Sequence, residues 1–322
     1  MIIQQVTSAF LAVLITAPLL LYNYETNEYK DMSANPIILD MDFCGDVDDA
    51  VALRMATKLD SMHVCTLKAI GLSVTDPSGQ DKIVNAAHGL LSYDGYGGIP
   101  IGTDSSGYKE ETSKYWDVLM QYSTSEPATK DAISLYKEVL SQSYEDVTII
   151  TTGYLTNISN LIDDEEGYTL VKDKCKKLVV MGGSIESQWE NNFAFYEGAK
   201  KATINVCENF PGEIVFVPQE LSTNISVGQT IQTKNKEDPV AKAISAWGSE
   251  TGAHAFDPLT VLIGCLPEDS LPYIYKDVKL KIEDNGQSIF YTTSDNTNKR
   301  VVIKKKEISA SQYQNMIEGI IS

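Results

Sequence analysis

Five aspartates fall within ten positions of the stretch ILDMDFCGDVDDA (38–50): Asp40, Asp42, Asp46, Asp48 and Asp49. The apolar run before them, PIIL (36–39), reads as a buried strand that delivers Asp40 and Asp42 to its carboxyl end. Carboxylates crowded at such a place repel one another unless a cation neutralises them. All-oxygen donors select Ca²⁺ or Mg²⁺ over Zn²⁺. The plainer alternative is a solvated acidic turn in which Asp48 and Asp49 sit at a helix N-terminus. The buried strand end weighs against it. An EF-hand loop starting at Asp40 fails, because Cys44 and Val51 occupy its fifth and twelfth positions and only Gly45 fits.

Other polar groups sit where further strands end. VCTLKAIGLSV (64–74) reads as a strand followed by Thr75 and Asp76. DVTIITTG (146–153) reads as a strand leading to Thr151, Thr152 and Asn157, and KKLVVMGG (176–183) leads to a polar loop with Glu190 and Asn192. IPIG (99–102) and EIVFVP (213–218) are further strands. Helical spacing follows from Asp49, in DKIVNAAHGLLSYDG, in YEGAKKATINVCEN and around 238–250 and 258–265. Strand–helix alternation predicts βαβ units and a mainly parallel, Rossmann-like open sheet with helices on both faces. The polar clusters should meet beyond the carboxyl ends of its strands. The tail, VKLKIEDNGQSIFYTT…KRVVIKKK, alternates and predicts a small antiparallel addition turning at Asn285-Gly286 before a last helix.

Composition narrows the partners. The chain has 322 residues, 43% of them hydrophobic, and a net charge of -18. That acidity repels phosphate backbones and so excludes nucleic acid as a natural partner. Five scattered cysteines without a CxxC pair exclude a zinc ribbon or a dense disulfide scaffold. Residues 7–22, TSAFLAVLITAPLLLY, form an apolar run short for a membrane span and long enough for a signal-peptide core. Export or a membrane tether through this run is the expectation, although no Lys or Arg precedes it; a helix packed on the body and a cytoplasmic location are the alternatives. The organisation is thus an apolar leader and polar linker over 1–35 and one catalytic body over 36–322.

Several stretches together resemble the inosine–uridine-preferring nucleoside hydrolases. DMDFCGDVDDA resembles the long form of that family's first motif, with Cys44 where Gly is usual. TTGYLTNISNL (151–161), VVMGGS (179–184), ENNF (190–193), FDPLTVL (256–262) and the NAAHGLLSYDGYGGIPIG stretch resemble later blocks in the right order. The resemblance spans about residues 36–320 and implies the nucleoside hydrolase fold and hydrolysis of ribonucleosides to ribose and free base. It implies a Ca²⁺ held by Asp42, Asp48, Asp49, the Thr152 carbonyl and Asp257, and a Ca-bound water deprotonated by Asp42. Asp40 and Asn157 would support these ligands. Glu190 and Asn192 would hold the ribose, Asp76 falls where a ribose-binding Asn often stands, and Trp189 is a candidate to stack on the base. A homo-oligomer, dimer or tetramer, is also implied.

The chain departs from the family at the leaving-group position. Phe256 stands where many members place a His, and His254 is three residues from Asp257. His254 is a candidate acid; without it, a stacked purine protonated on its ring leaves more readily than a pyrimidine. Two other readings compete. IILDMDFC resembles the first motif of haloacid dehalogenase-type phosphatases, but no later GDxxxD stretch follows. A non-catalytic nucleoside- or ribose-binding protein would not require a general base.

Overall fold

The computed structural model describes residues 34–78, 81–109, 113–271, 273–295, 297–304 and 309–322, together with the backbone of Tyr22–Asn23 and Glu28–Tyr29. The expected leader, 7–22, lies outside the described residues except for Tyr22. Among the described residues no helix is long and apolar enough to cross a membrane.

Short runs of Val, Ile and Leu, buried along nearly their whole length, become the central strands of one ten-stranded sheet. In chain order the strands of the sheet are β1 (Asn35–Met41), β2 (Cys65–Thr75), β3 (Ile101–Lys109), β4 (Thr129–Asp131) and β5 (Val147–Thr151). They continue with β6 (Cys175–Met181), β7 (Glu213–Val217), β8 (Tyr273–Ile282), β9 (Ser288–Thr292) and β10 (Lys299–Lys304). Their spatial order is β9-β8-β10-β7-β6-β5-β1-β2-β3-β4. Pairing is parallel from β10 through to β4, and antiparallel only where β8 meets β9 and β10. The mainly parallel sheet and its antiparallel C-terminal addition are therefore as expected.

Alternation along β1 splits the core between two faces. Ile37, Leu39 and Met41 join one apolar cluster, with the helices Asp48–Ser61, Lys82–Tyr93 and Phe256–Cys265. Ile38 joins the other, with the helices Ala132–Gln142, Thr156–Asp163 and Glu197–Asn209. The chain leaves β1 toward β2 on one side and later returns to β5 on the other. The sheet thus changes direction at β1–β5, where such sheets open a crevice at their carboxyl ends.

The helix Asp48–Ser61 is fixed in that crevice from its far side. Buried Arg54 bonds Asp94 at 2.9 Å and Asp238 at 3.0 Å, and Asp238 also caps the helix Pro239–Trp247 through the Val240 amide. The element-by-element reading missed the helices Ala132–Gln142 and Glu165–Lys174 and the short edge strand β4.

Candidate active site

The carboxyl ends of β1, β5 and β6 and two helix N-termini enclose a cleft of about 410 Å³. Asp42, Asp48, Asp49, Thr152 and Asp257 line its floor, and Trp189, Glu190, Asn192, Tyr154 and Phe195 its walls.

Asp48 and Asp49 open one helix and Asp257 lies in the first turn of another, packed against the first. Both helices thus turn the positive end of their dipole toward carboxylates. Oxygens of Asp48, Asp49 and Asp257 lie within 4.8 Å of one another, and all three residues are buried. Few backbone donors reach them: the Phe43 amide donates to Asp49 at 3.0 Å and the Asp257 amide to Asp48 at 3.3 Å. Burial, then the neighbouring carboxylates, push all three upward: Asp48 to about 7, and Asp49 and Asp257 well above the usual carboxylate range. Asp42 adds its charge to Asp49 and Asp257, and the largest charge effects on the three come from other carboxylates. Such a buried all-oxygen donor set has the chemistry of a hard divalent-cation site. The buried Thr152 Oγ1, without a protein hydrogen-bond partner, adds a free oxygen beside it.

The loop after β1 is shaped by its neighbours. Phe43 takes φ 49 and its carbonyl accepts from the Trp116 indole at 2.7 Å; the Gly45 carbonyl accepts from the Trp247 indole at 3.0 Å. Across the crevice the backbone of β5 comes so close that a Cβ on Gly153 would meet the Asp42 amide at 2.4 Å. Only glycine allows that approach. The Thr152 amide then donates to the Asp40 carbonyl at 2.8 Å, locking the two strand ends together.

Asp40 lies below the cleft, fully buried on the opposite face of the sheet from Leu39. The Tyr136 hydroxyl donates to it, and Asn157 Nδ2 does so at 2.7 Å. Burial nonetheless lifts Asp40 to about 7. Glu190 caps the short helix Asn191–Ala194 by accepting from the amides of Asn192 and Phe193 at 3.2 and 3.0 Å. Burial raises it to about 7 against those bonds. Asn192 Nδ2 donates to the Thr152 carbonyl at 2.9 Å, which links the wall carrying Glu190 and Asn192 to the acidic floor.

Two expected residues sit elsewhere. Asp76 turns its carboxylate onto the Ser78 and Lys82 amides and the Ser78 hydroxyl, where it holds the turn into the helix Lys82–Tyr93, and it is not among the residues lining the cleft. His254 is exposed, pairs with Ser226 in a short ladder, and packs its ring 5.3 Å from that of Phe256. Phe256, not His254, lines the cleft. Reading the sequence did not single out Tyr136, Met181, Phe195 or Gln219. Gln219 follows β7, so applying the strand-end rule to every strand would have found it.

The profile of the inosine-uridine preferring nucleoside hydrolases matches residues 37–313. The pyrimidine-specific ribonucleoside hydrolase RihA of Shewanella oneidensis is 29% identical over 163 residues, 46% of this chain and 47% of that protein. The chain thus matches about half the length of that curated relative. The inosine-uridine preferring nucleoside hydrolase of Bacillus anthracis shares the fold with a TM-score of 0.68 at 17% identity, over 89% of this chain and 99% of that one. A purine-preferring ribonucleoside hydrolase from Gardnerella vaginalis gives 0.67 at 16% identity, over 89% and 98%. Since the profile runs from β1 into the final helix, the chain belongs to the inosine-uridine preferring nucleoside hydrolase family.

Proposed function

We propose that the chain hydrolyses the N-glycosidic bond of ribonucleosides, releasing ribose and the free base. The observation that carries this reading is the cleft floor. Four buried carboxylates, Asp42, Asp48, Asp49 and Asp257, gather there beside a wall bearing Glu190 and Asn192. Asp42, Asp48, Asp49, Asp257 and the Thr152 carbonyl would hold a calcium ion. Bound there, that ion supplies Lewis-acid activation of water and a grip on vicinal ribose hydroxyls.

Asp42 is the general base that accepts the proton of the attacking water. The bond breaks with positive charge developing on the sugar ring, and the acidic floor stabilises that charge. Glu190 and Asn192 hold ribose hydroxyls. Phe195 and Trp189, both exposed, offer aromatic faces to the base at the walls of the cleft. The two relatives named for ribonucleoside hydrolysis differ in base, one pyrimidine-specific and one purine-preferring, which supports the sugar as the shared feature. The phosphatase alternative has only the β1 segment behind it.

Reducing-sugar release from inosine, adenosine, guanosine, uridine and cytidine, run beside p-nitrophenyl phosphate turnover, tests the reading. Ribose release without phosphatase activity is expected. Phosphate release alone would return the phosphatase, and nucleoside binding without cleavage would return the binding protein.

A further inference from the structure

The segment Trp189–Ala194 carries Glu190 and Asn192 and lies outside the sheet, in the connection after β6. The C-terminal hairpin β8–β9 braces it. Trp189 forms an antiparallel bridge with Gln287, and the Ser288 amide donates to the Gln188 carbonyl at 3.4 Å. The Ser288 hydroxyl accepts from the Ser184 amide at 2.9 Å. The turn between β8 and β9 is itself closed by two backbone bonds of 2.9 Å, from Glu283 to Gln287 and from Gly286 to Glu283. Lys200 Nζ donates to the Asp284 carbonyl at 2.7 Å, which ties the turn to the helix that follows the segment.

At the tip, Gly286 takes φ +87 and lies directly against the segment. A Cβ there would meet Trp189 Cδ1 at 2.8 Å and Ala194 Cβ at 2.7 Å. These two residues flank Glu190 and Asn192. Real Cβ contacts do not come this close, so the added methyl would displace one flank or the other.

We propose that the β8–β9 turn is a positioning element of the sugar site, and that Gly286 acts through Trp189 and Ala194 to set where Glu190 and Asn192 stand. This rests on the ribose role proposed for those two residues. The effect falls first on binding, because Asp42, Asp48, Asp49 and Asp257 are carried by β1 and the helices Asp48–Ser61 and Phe256–Cys265, and the segment reaches the floor through the single Asn192–Thr152 bond.

The test compares Gly286→Ala with Gly95→Ala. Gly95 has nearly the same φ, +88, and nothing within 4 Å of its absent Cβ, so it carries the backbone strain without the collision. Amide hydrogen exchange at Asn192 and Phe193, whose N–H groups Glu190 accepts, should quicken about tenfold in Gly286→Ala and stay unchanged in Gly95→Ala. KM for the best ribonucleoside should rise about tenfold in Gly286→Ala alone, with kcat within about threefold of the parent chain. Unchanged exchange, equal effects in both variants, or faster exchange with an unmoved KM in an active enzyme would each overturn the proposal. A parent chain that releases no ribose contradicts the functional reading instead, and the exchange comparison still decides whether the turn holds the segment. If Gly286→Ala fails to fold, Ser288→Ala, which removes the acceptor of the Ser184 amide, carries the same comparison with a smaller expected change.

Discussion

Removing a charge from the floor of the cleft should stabilise the metal-free protein. Asp49→Asn keeps an oxygen that can accept from the Phe43 amide, at 3.0 Å in the parent chain, and deletes one negative charge. Two carboxylates with oxygens within 4.8 Å of each other repel by at least about 3.5 kcal/mol at an effective dielectric of about 20. Asp49 faces both Asp48 and Asp257, so full ionisation would cost on the order of 7 kcal/mol. The chain has a cheaper route, which is to keep a proton; for a carboxyl with an ordinary pKa near 4 that costs about 4 kcal/mol at pH 7. Asparagine avoids both costs. Against the neutral, protonated carboxyl it gives up only about 1 kcal/mol of imperfect hydrogen-bond fit. The net gain is about 3 kcal/mol, or roughly 4 °C in Tm for a chain of this length. Thermal melts in EDTA should therefore place Asp49→Asn above the parent chain. Added calcium should raise the parent's Tm and leave the variant's nearly unmoved. A variant that melts lower in EDTA, or gains as much from calcium as the parent, would refute the charge argument.

Other consequences are as direct. Asp42→Asn, loaded with calcium, should lose at least about 10²-fold in kcat, as measured by single-turnover ribose release. Burial lifts Glu190 to about 7, so it is an ionised acceptor only above that pH. KM for a ribonucleoside should accordingly fall as pH rises through about 7, and Glu190→Gln should flatten that profile. Purine nucleosides should be cleaved faster than uridine, and His254→Ala should change kcat only modestly, because Phe256 and not His254 lines the cleft; selective loss of uridine cleavage in that variant would make His254 the acid. Gly153→Ala should destabilise the fold by about 1–3 kcal/mol in urea melts, since its methyl would collide with the Asp42 amide.

The acidic floor was legible because its logic is local. Apolar strands ending in carboxylates announce a crevice, and Asp42, Asp48 and Asp49 share one strand-to-helix turn. Thr152 was legible by the same rule at the end of β5. Asp257 comes from a distant helix, and only the resemblance of FDPLTVL to a known block brought it in. What remained hidden depends on tertiary contacts that no spacing encodes. Tyr136 reaches Asp40 across 96 positions from a helix that the pattern did not reveal. Asp76 has the right type at the right strand end, yet nearby amides and a hydroxyl capture its carboxylate. The hairpin turn Asn285-Gly286 was visible as a turn, but nothing in its sequence tells that Trp189 packs on it.

The central claim is that the buried acids form a catalytic calcium site. Its most direct measurement is ribose release by the exhaustively chelated chain during titration with calcium. Negligible activity at the start and recovery that saturates near one equivalent per chain are expected, with Asp49→Asn failing to recover over the same range. Full activity after chelation, with no calcium found by elemental analysis, would contradict it.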